Sequence, residues 1–297
     1  MMDKKSIRFI VNPLSGTGKQ VDVADLIAEY LDLNKFQYSV YFTERKYHAT
    51  ELAKDAIKDR QDIVIAVGGD GTVNEVAKGI VGSAVALGIL PAGSGNGLAR
   101  HFGYSMDFKE AILQINEFKI HPIDTCLLNG EFFLNVSGVG FDAHIAHEFD
   151  VAGRRGLWTY GKLILKEWFT YKAKNYRIKT EGLDVSVQAI FISFANGTQY
   201  GNDLRVAPLA DDNDGLLDLC VLERFPKILT PILIFYFLVN QFYKFPYVKI
   251  YRSHSFDLEM ENGRLHLDGE PKNLGKSIHI AVKPSSLKVL RSDPNVI

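Results

Sequence analysis

Residues 62–75 read Asp-Ile-Val-Ile-Ala-Val-Gly-Gly-Asp-Gly-Thr-Val-Asn-Glu. A continuous apolar run rich in β-branched residues reads as a strand covered on both faces, as in a parallel sheet. Glycines follow at once, and a helical spacing follows them. The unit is therefore strand, turn, helix, with the turn at the carboxyl edge of the sheet, where open α/β sheets bind ligands. Gly68, Gly69 and Gly71 permit backbone that other residues could not adopt and let a bulky anion approach it. The next helix aims its N-terminus at such an anion. Asp70 is the odd member, because a carboxylate repels a phosphate unless a metal lies between. Gly69, Asp70, Gly71 and Thr72 thus read as a nucleotide-phosphate site with a magnesium ion. The plainer reading is a tight turn with an Asp or Thr cap.

Two further loops repeat the pattern. A strand over 6–11 runs into Asn12-Pro13-Leu14-Ser15-Gly16-Thr17-Gly18-Lys19. Its glycine spacing is not that of a Walker A loop. It reads equally as an ordinary turn or as an anion cradle heading a helix over 20–33. A second strand over 38–43 and a helix over 49–58 precede the central motif. A fourth strand over 85–90 ends in Pro91-Ala92-Gly93-Ser94-Gly95-Asn96-Gly97-Leu98-Ala99-Arg100. Three such loops at carboxyl ends of parallel strands point to an α/β nucleotide-binding domain. A helix over 107–118 closes it.

From His121 the texture changes. Asn129-Gly130 between apolar runs signals a hairpin, and Asn262-Gly263 a second. Strands are expected over 175–180, 184–195, 216–223, 248–252, 256–261, 264–267 and 277–282, with helices over 157–171 and 225–242. The expected architecture is an α/β N-terminal domain with a parallel sheet, 1–121, and a mainly antiparallel β-sandwich, 122–297. The C-terminal tail is free to return to the first domain. With no flexible linker near 121, the two are expected to share a rigid cleft.

A net charge of −1 over 297 residues supplies no basic field for nucleic acid. Cys126 and Cys220, in apolar strand-like contexts, read as buried reduced thiols of a cytosolic protein. The charged start is no signal peptide. The apolar stretch 228–239 is too short to span a bilayer and carries Pro231. The expectation is a cytoplasmic protein, soluble or peripheral to a membrane, with a homodimer left open. The aromatic run 225–251 reads mainly as core, with room for an acyl-chain groove or membrane-facing patch.

Two acidic stretches of the second half carry chemistry. Asp211-Asp212-Asn213-Asp214-Gly215-Leu216-Leu217-Asp218 suits a hard cation held by oxygens, or a solvated turn with Asx bonds. Leu267-Asp268-Gly269-Glu270-Pro271 is a plain β-turn, or it carries a base: phosphoryl transfer to a hydroxyl needs a group that orients the nucleophile and takes its proton. Asp268 and Glu270 both fit.

Gly68-Gly69-Asp70-Gly71-Thr72 resembles the signature of the diacylglycerol kinase, sphingosine kinase and NAD kinase superfamily. With the Asn12 loop, the Gly93 loop and Asp268 to Glu270 in order, the chain is similar to lipid kinases of the bacterial diacylglycerol kinase type over nearly its whole length. The resemblance implies transfer of the γ-phosphate of ATP, with Mg2+, to the hydroxyl of a lipid such as diacylglycerol or a sphingoid base at a membrane surface. It implies nucleotide contacts at Asn12, Pro13, Leu14, Ser15, Gly16, Thr43, Gly69, Asp70, Gly71, Thr72, Val73, Asn74, Glu75 and Ser94. It further implies a structural magnesium at Asp211, Asp214 and the carbonyl of Leu216, with Glu270 as proton acceptor and Asp268 competing for that role. One departure concerns substrate: Gly97 stands where bacterial diacylglycerol kinases usually carry an acid. The rivals are an NAD kinase acting on a soluble substrate and a non-catalytic nucleotide or lipid sensor.

Overall fold

The computed structural model describes residues 4–16, 23–93, 95–152, 157–198 and 205–292. The chain divides into two compact units, residues 1–123 with 285–297, and 124–284.

The first unit alternates strand and helix: β1 (Lys5–Val11), α1 (Val23–Tyr30), β2 (Phe36–Phe42), α2 (His48–Lys58), β3 (Ile63–Gly68), α3 (Asp70–Ile80), β4 (Ala86–Pro91), α4 (Gly97–His101) and α5 (Phe108–Glu117). The strands pair in parallel in the order β2-β1-β3-β4. Every residue of β3 and of β4 is buried, because helices cover both faces. Helices α2 and α3 pack so closely at Gly79 that a methyl group there would stand 2.8 Å from the carbonyl oxygen of Thr50.

The second unit is an antiparallel β-sandwich. Its elements are β5 (Lys119–Leu128), β6 (Glu131–Phe133), β7 (Val136–Gly140), α6 (Phe141–Ala152), α7 (Leu157–Thr170), β8 (Lys174–Thr180), β9 (Leu183–Ala195) and β10 (Leu217–Glu223). After β10 come α8 (Thr230–Leu238), β11 (Val248–Ser253), β12 (Ser255–Met260), β13 (Arg264–Leu267), β14 (Glu270–Asn273) and β15 (Ser277–Arg291). The path β14-β13-β7-β9-β8-β12-β15 is joined by β10 on β9, β11 on β10, and the β5–β6 hairpin. Phe133, Phe194, Phe256 and Ile280 belong to one fully buried cluster. A second cluster, with Trp168, Phe225, Leu233 and Phe242, joins the β-strands to α6, α7 and α8. Cys126 and Cys220 are buried free thiols. The last residues of β15 pair in parallel with β4, at Lys288 and Val289, within the first unit.

Two expectations are corrected, and one element is added. Asn262-Gly263 does not turn a hairpin: β12 pairs with β8 and β15, whereas β13 pairs with β7 and β14. The hairpin turn lies six residues later at Asp268-Gly269, both at positive φ, the geometry of a two-residue type I′ loop. The single helix expected over 225–242 is broken. Residues Lys227–Leu229 make a 3-10 turn, Pro231 sits in the first turn of α8, and Asn240 at φ 54° lies just beyond its end. Helix α6 was not expected; it starts directly after β7, with no polar break to announce it.

Candidate active site

In the first unit, three loops at the carboxyl ends of β1, β3 and β4 meet backbone to backbone. A methyl group on Gly93 would fall 2.5 Å from Cα of Gly69, and one on Gly16 would fall 2.7 Å from the carbonyl oxygen of Ala92. Only glycine permits both approaches, and Gly16 also has φ +87°. Asn12 ties the first loop to the second by donating from Nδ2 to Thr72 Oγ1 at 3.1 Å. Its Oδ1 accepts the Leu14 amide at 3.0 Å, an Asx turn that sets the loop's path past Pro13 and Ser15. Ser15 Oγ donates to the Asn12 carbonyl at 2.8 Å. Thr43, just after β2, bonds through its amide to the carbonyl of Val11 at 2.8 Å and so lies at the same edge.

Thr72 is buried, and Gly68 is required opposite it, since a methyl there would meet Oγ1 at 2.5 Å. Gly71 is the reverse case: a methyl group on it would touch nothing within 4 Å. The first turn of α3 is therefore open at Gly71, as an anion site at a helix N-terminus requires. Val73 is buried. Glu75 accepts the Tyr47 amide at 3.1 Å and steadies the start of α2, while Asn74 is half-buried beside it. Ser94, Thr17, Gly18 and Lys19 lie outside the described residues.

Asp70, expected from sequence to face a phosphate-bound metal, also has backbone partners. Its side chain turns toward the start of α4 and accepts the Leu98 amide at 3.3 Å. Burial raises its pKa, against the pull of amides at Gly97, Leu98 and Asn96. Asn96, at φ 50°, closes the same loop by bonding both ways to Gly93, at 2.9 and 2.7 Å. Asp70 and Asn96 together fix the Gly93 loop.

In the second unit, Asp268 and Glu270 separate. Asp268 Oδ1 accepts the amides of Asn135 at 2.8 Å and Val136 at 3.1 Å, and Oδ2 that of Leu134 at 2.8 Å. Burial pushes its carboxyl up to about 6, against the pull of the amides of Leu134, Asn135 and Val136. Both oxygens are committed to holding the segment between β6 and β7. Glu270, at the start of β14, is about half exposed, with Lys272 Nζ 4.0 Å away.

Sequence reasoning missed the buried set next to this turn. His266 Nδ1 accepts the Gly269 amide at 3.2 Å, which leaves Nε2–H to donate to Asp142 Oδ2 at 3.2 Å. Ser193 Oγ donates to the same oxygen at 3.3 Å. This is no nucleophilic triad, because the hydroxyl meets the carboxylate and not the imidazole. It is a chain of hydrogen bonds from β9 through α6 to the turn that carries Glu270. A methyl on Gly138 would stand 2.3 Å from Asp142 Oδ2, so that glycine makes room for the carboxylate. The only sequence signal was Asp142 immediately after a strand, at the start of an unmarked helix.

The acidic loop before β10 also finds partners of its own. Asp214 Oδ2 pairs with Arg252 Nη2, and its Oδ1 accepts the Leu216 amide at 2.9 Å. Asp211 Oδ1 accepts the Asn213 amide at 3.0 Å, and the Gly215 amide goes to Asp124 at 2.7 Å. Among the described residues, no three His, Cys, Asp or Glu side chains gather closely enough to hold an ion. At the magnesium site that the resemblance implies, Asp211, Asp214 and the carbonyl of Leu216, the Arg252 guanidinium already pairs with Asp214.

Comparison with known proteins agrees with this layout. The diacylglycerol kinase catalytic domain matches residues 6–128, and the YegS C-terminal NAD kinase beta sandwich-like domain matches residues 135–291. The chain thus belongs to the diacylglycerol kinase-like family of lipid kinases and is an enzyme of that class. A Klebsiella pneumoniae protein named "Probable lipid kinase YegS-like" is 32% identical over 84% of each chain. A Bacillus subtilis protein named "Diacylglycerol kinase" is 27% identical over 74% of each. A diacylglycerol kinase structure from Bacillus anthracis shares the fold over the whole of both chains, with a TM-score of 0.75 at 20% identity. Membership of a kinase family implies ATP as the phosphoryl donor.

Proposed function

We propose that the protein transfers the γ-phosphoryl group of ATP to the hydroxyl of a membrane lipid, diacylglycerol or a sphingoid base. The observation that carries the nucleotide half is the meeting of the Asn12, Gly69 and Gly93 loops, with the first turn of α3 open at Gly71. Phosphate oxygens there would be met by backbone amides and the helix dipole. Asn12 and Thr72 hold the first loop on the second. Asp70 and Asn96 hold the Gly93 loop. Magnesium enters as the companion of the nucleotide's phosphates.

In the transfer, the bond between the γ-phosphorus and the bridging oxygen of ATP breaks, and a bond from phosphorus to the lipid oxygen forms. The hydroxyl proton goes to Glu270, because Asp268 is committed to three amides. Most of the acceleration in such a reaction is positioning and charge neutralisation. His266, Asp142 and Ser193 position the turn. On this reading the protein meets its lipid at a membrane surface; no helix among the described residues is long and apolar enough to cross a bilayer. The test is incubation with γ-labelled ATP and a total lipid extract, followed by thin-layer separation. A labelled phospholipid is expected. Turnover of ATP onto NAD, or no labelled lipid, overturns the reading.

A further inference from the structure

Helix α8 is apolar on both sides. Its inner side places Leu233 in the core, and Phe237 stacks on Phe242 with ring centroids 4.2 Å apart. Its outer side carries Ile232 and Phe235, with Ile228 just before it, and Leu238 completes the stripe. These residues are 47%, 59%, 85% and 75% exposed. Positions 228, 232, 235 and 238 follow helical spacing, so the four form one stripe. Helix α7 extends it: Leu165 and Phe169, one turn apart, are 64% and 61% exposed. The two helices are fastened together, since Trp168 Nε1 donates to Thr230 Oγ1 at 3.0 Å and Lys227 Nζ caps the Phe169 carbonyl at 2.9 Å. A stripe of this size on a rigid base is a docking surface.

We propose that the outer face of α8, with Leu165 and Phe169 of α7, docks the protein on an anionic lipid bilayer. The proposal rests on the lipid-kinase reading, which requires the enzyme to meet a substrate held in a bilayer, and it names the surface that does so. Charge complementarity selects the occupant. From residue 224 to residue 256 the sequence holds five Lys or Arg and no Asp or Glu; Arg252 and Lys249 pair with acids of β10 and the loop before it, and Lys227 turns onto backbone carbonyls, which leaves Arg224 and Lys244 to face solvent. Lys244 and Arg224 are exposed within that stretch, and Lys166 is 80% exposed beside Leu165. An apolar strip rimmed by cations lies in the interface plane of an anionic membrane. At nine residues α8 is about 14 Å long, so it lies on the surface and does not span. A symmetric pairing of two copies through this face would set the two cationic rims against each other.

The test uses the full chain and vesicle flotation, which requires no turnover. Vesicles of phosphatidylcholine with about one-third phosphatidylglycerol should carry the parent, and pure phosphatidylcholine should carry less. Phe235→Ser with Leu238→Ser should reduce partitioning roughly thirty-fold or more, at five- to tenfold per withdrawn side chain. Ile57→Ser, an exposed apolar change on α2 in the first unit, should leave partitioning unchanged. Both side chains on α8 face outward, so melting should match the parent. Lipid phosphorylation in mixed detergent micelles separates the two readings. Loss of flotation with micellar activity intact supports the surface. Equal flotation of parent and variant overturns it, whether or not a lipid is phosphorylated. A parent that does not float but sediments as a dimer, dissociated by the same substitutions, also overturns it and makes a second copy the occupant.

Discussion

Arg252→Gln separates the two accounts of the acidic loop. Asp218 is buried, with its side chain 3% exposed, and its Oδ1 meets Arg252 Nε at 2.6 Å. Arg252 also reaches Asp214, while its own side chain is 43% exposed. Breaking one side of a fully buried pair costs about 3–5 kcal/mol, and an exposed pair is worth about 0–1 kcal/mol. One buried and one half-exposed partner place the loss between these, at about 2 kcal/mol. Unfolding entropies of domains this size convert that to a melting temperature lower by roughly 4–8 °C. The pH dependence has a definite sign. Burial raises the pKa of Asp218, and Arg252 opposes that rise. In the variant only burial and the Asp214 charge remain, so the folded-state pKa climbs further above the unfolded value. A group raised in this way adds stability at low pH and loses it as pH rises. The deficit of the variant should thus be smaller at pH 5 than at pH 8. The assay is thermal melting at both pH values, with and without magnesium. A variant melting within a degree of the parent at pH 8 would refute the reasoning. So would magnesium that raises the parent's melting point but not that of Asp214→Ala, because the loop would then be a metal site.

Glu270→Gln should lower kcat by roughly 10²–10⁴ with melting close to that of the parent, because the Glu270 side chain is half exposed; a variant retaining more than a tenth of the activity removes Glu270 as proton acceptor. Asp70→Asn should weaken ATP binding about tenfold and lower stability by about 1–2 kcal/mol, since it loses an acceptor facing the start of α4. If calorimetry finds unchanged ATP affinity and only an altered magnesium requirement, the carboxylate is a metal ligand after all. Gly71→Ala should fold as well as the parent, because the added methyl meets no protein atom within 4 Å, yet lose ATP affinity; unchanged affinity would move the phosphates away from that turn. Gly93→Ala should lower both melting temperature and ATP affinity, as its methyl would stand 2.5 Å from Cα of Gly69, and a normal melt would show that the two loops part freely.

What was legible in the sequence was local. The β3–turn–α3 unit announces itself by a change of period, from an unbroken apolar run to helical spacing, with glycines at the junction. The three glycine loops could be placed at one sheet edge because parallel strands put every carboxyl end on the same side. The partners of the polar groups could not be read in the same way. Asp70 is answered by amides some 26 to 28 residues later, and Asp268 by amides more than 130 residues earlier. Nothing in the spacing around either residue encodes such a partner. The two Asx-Gly pairs make the same point within a single stretch. Asn262-Gly263 and Asp268-Gly269 are equivalent as turn chemistry, yet only the second joins paired strands. The difference lies in what β13 pairs with. Its residues Leu265 and Leu267 are buried in the sandwich, and their neighbours across the sheet are Val139 and Ser137 of β7, from far earlier in the chain. Burial of that non-local pair sets β13 against β7 and β14 and leaves β12 to β8 and β15, so Asn262-Gly263 becomes a crossing between partners. The same non-locality reassigns the acids. A carboxylate motif that suggested metal or proton chemistry from its neighbours in sequence is, for Asp70, Asp214 and Asp268, satisfied by amides or a guanidinium brought in by the fold. Glu270 differs from these three: its carboxylate stands about half exposed at the start of β14.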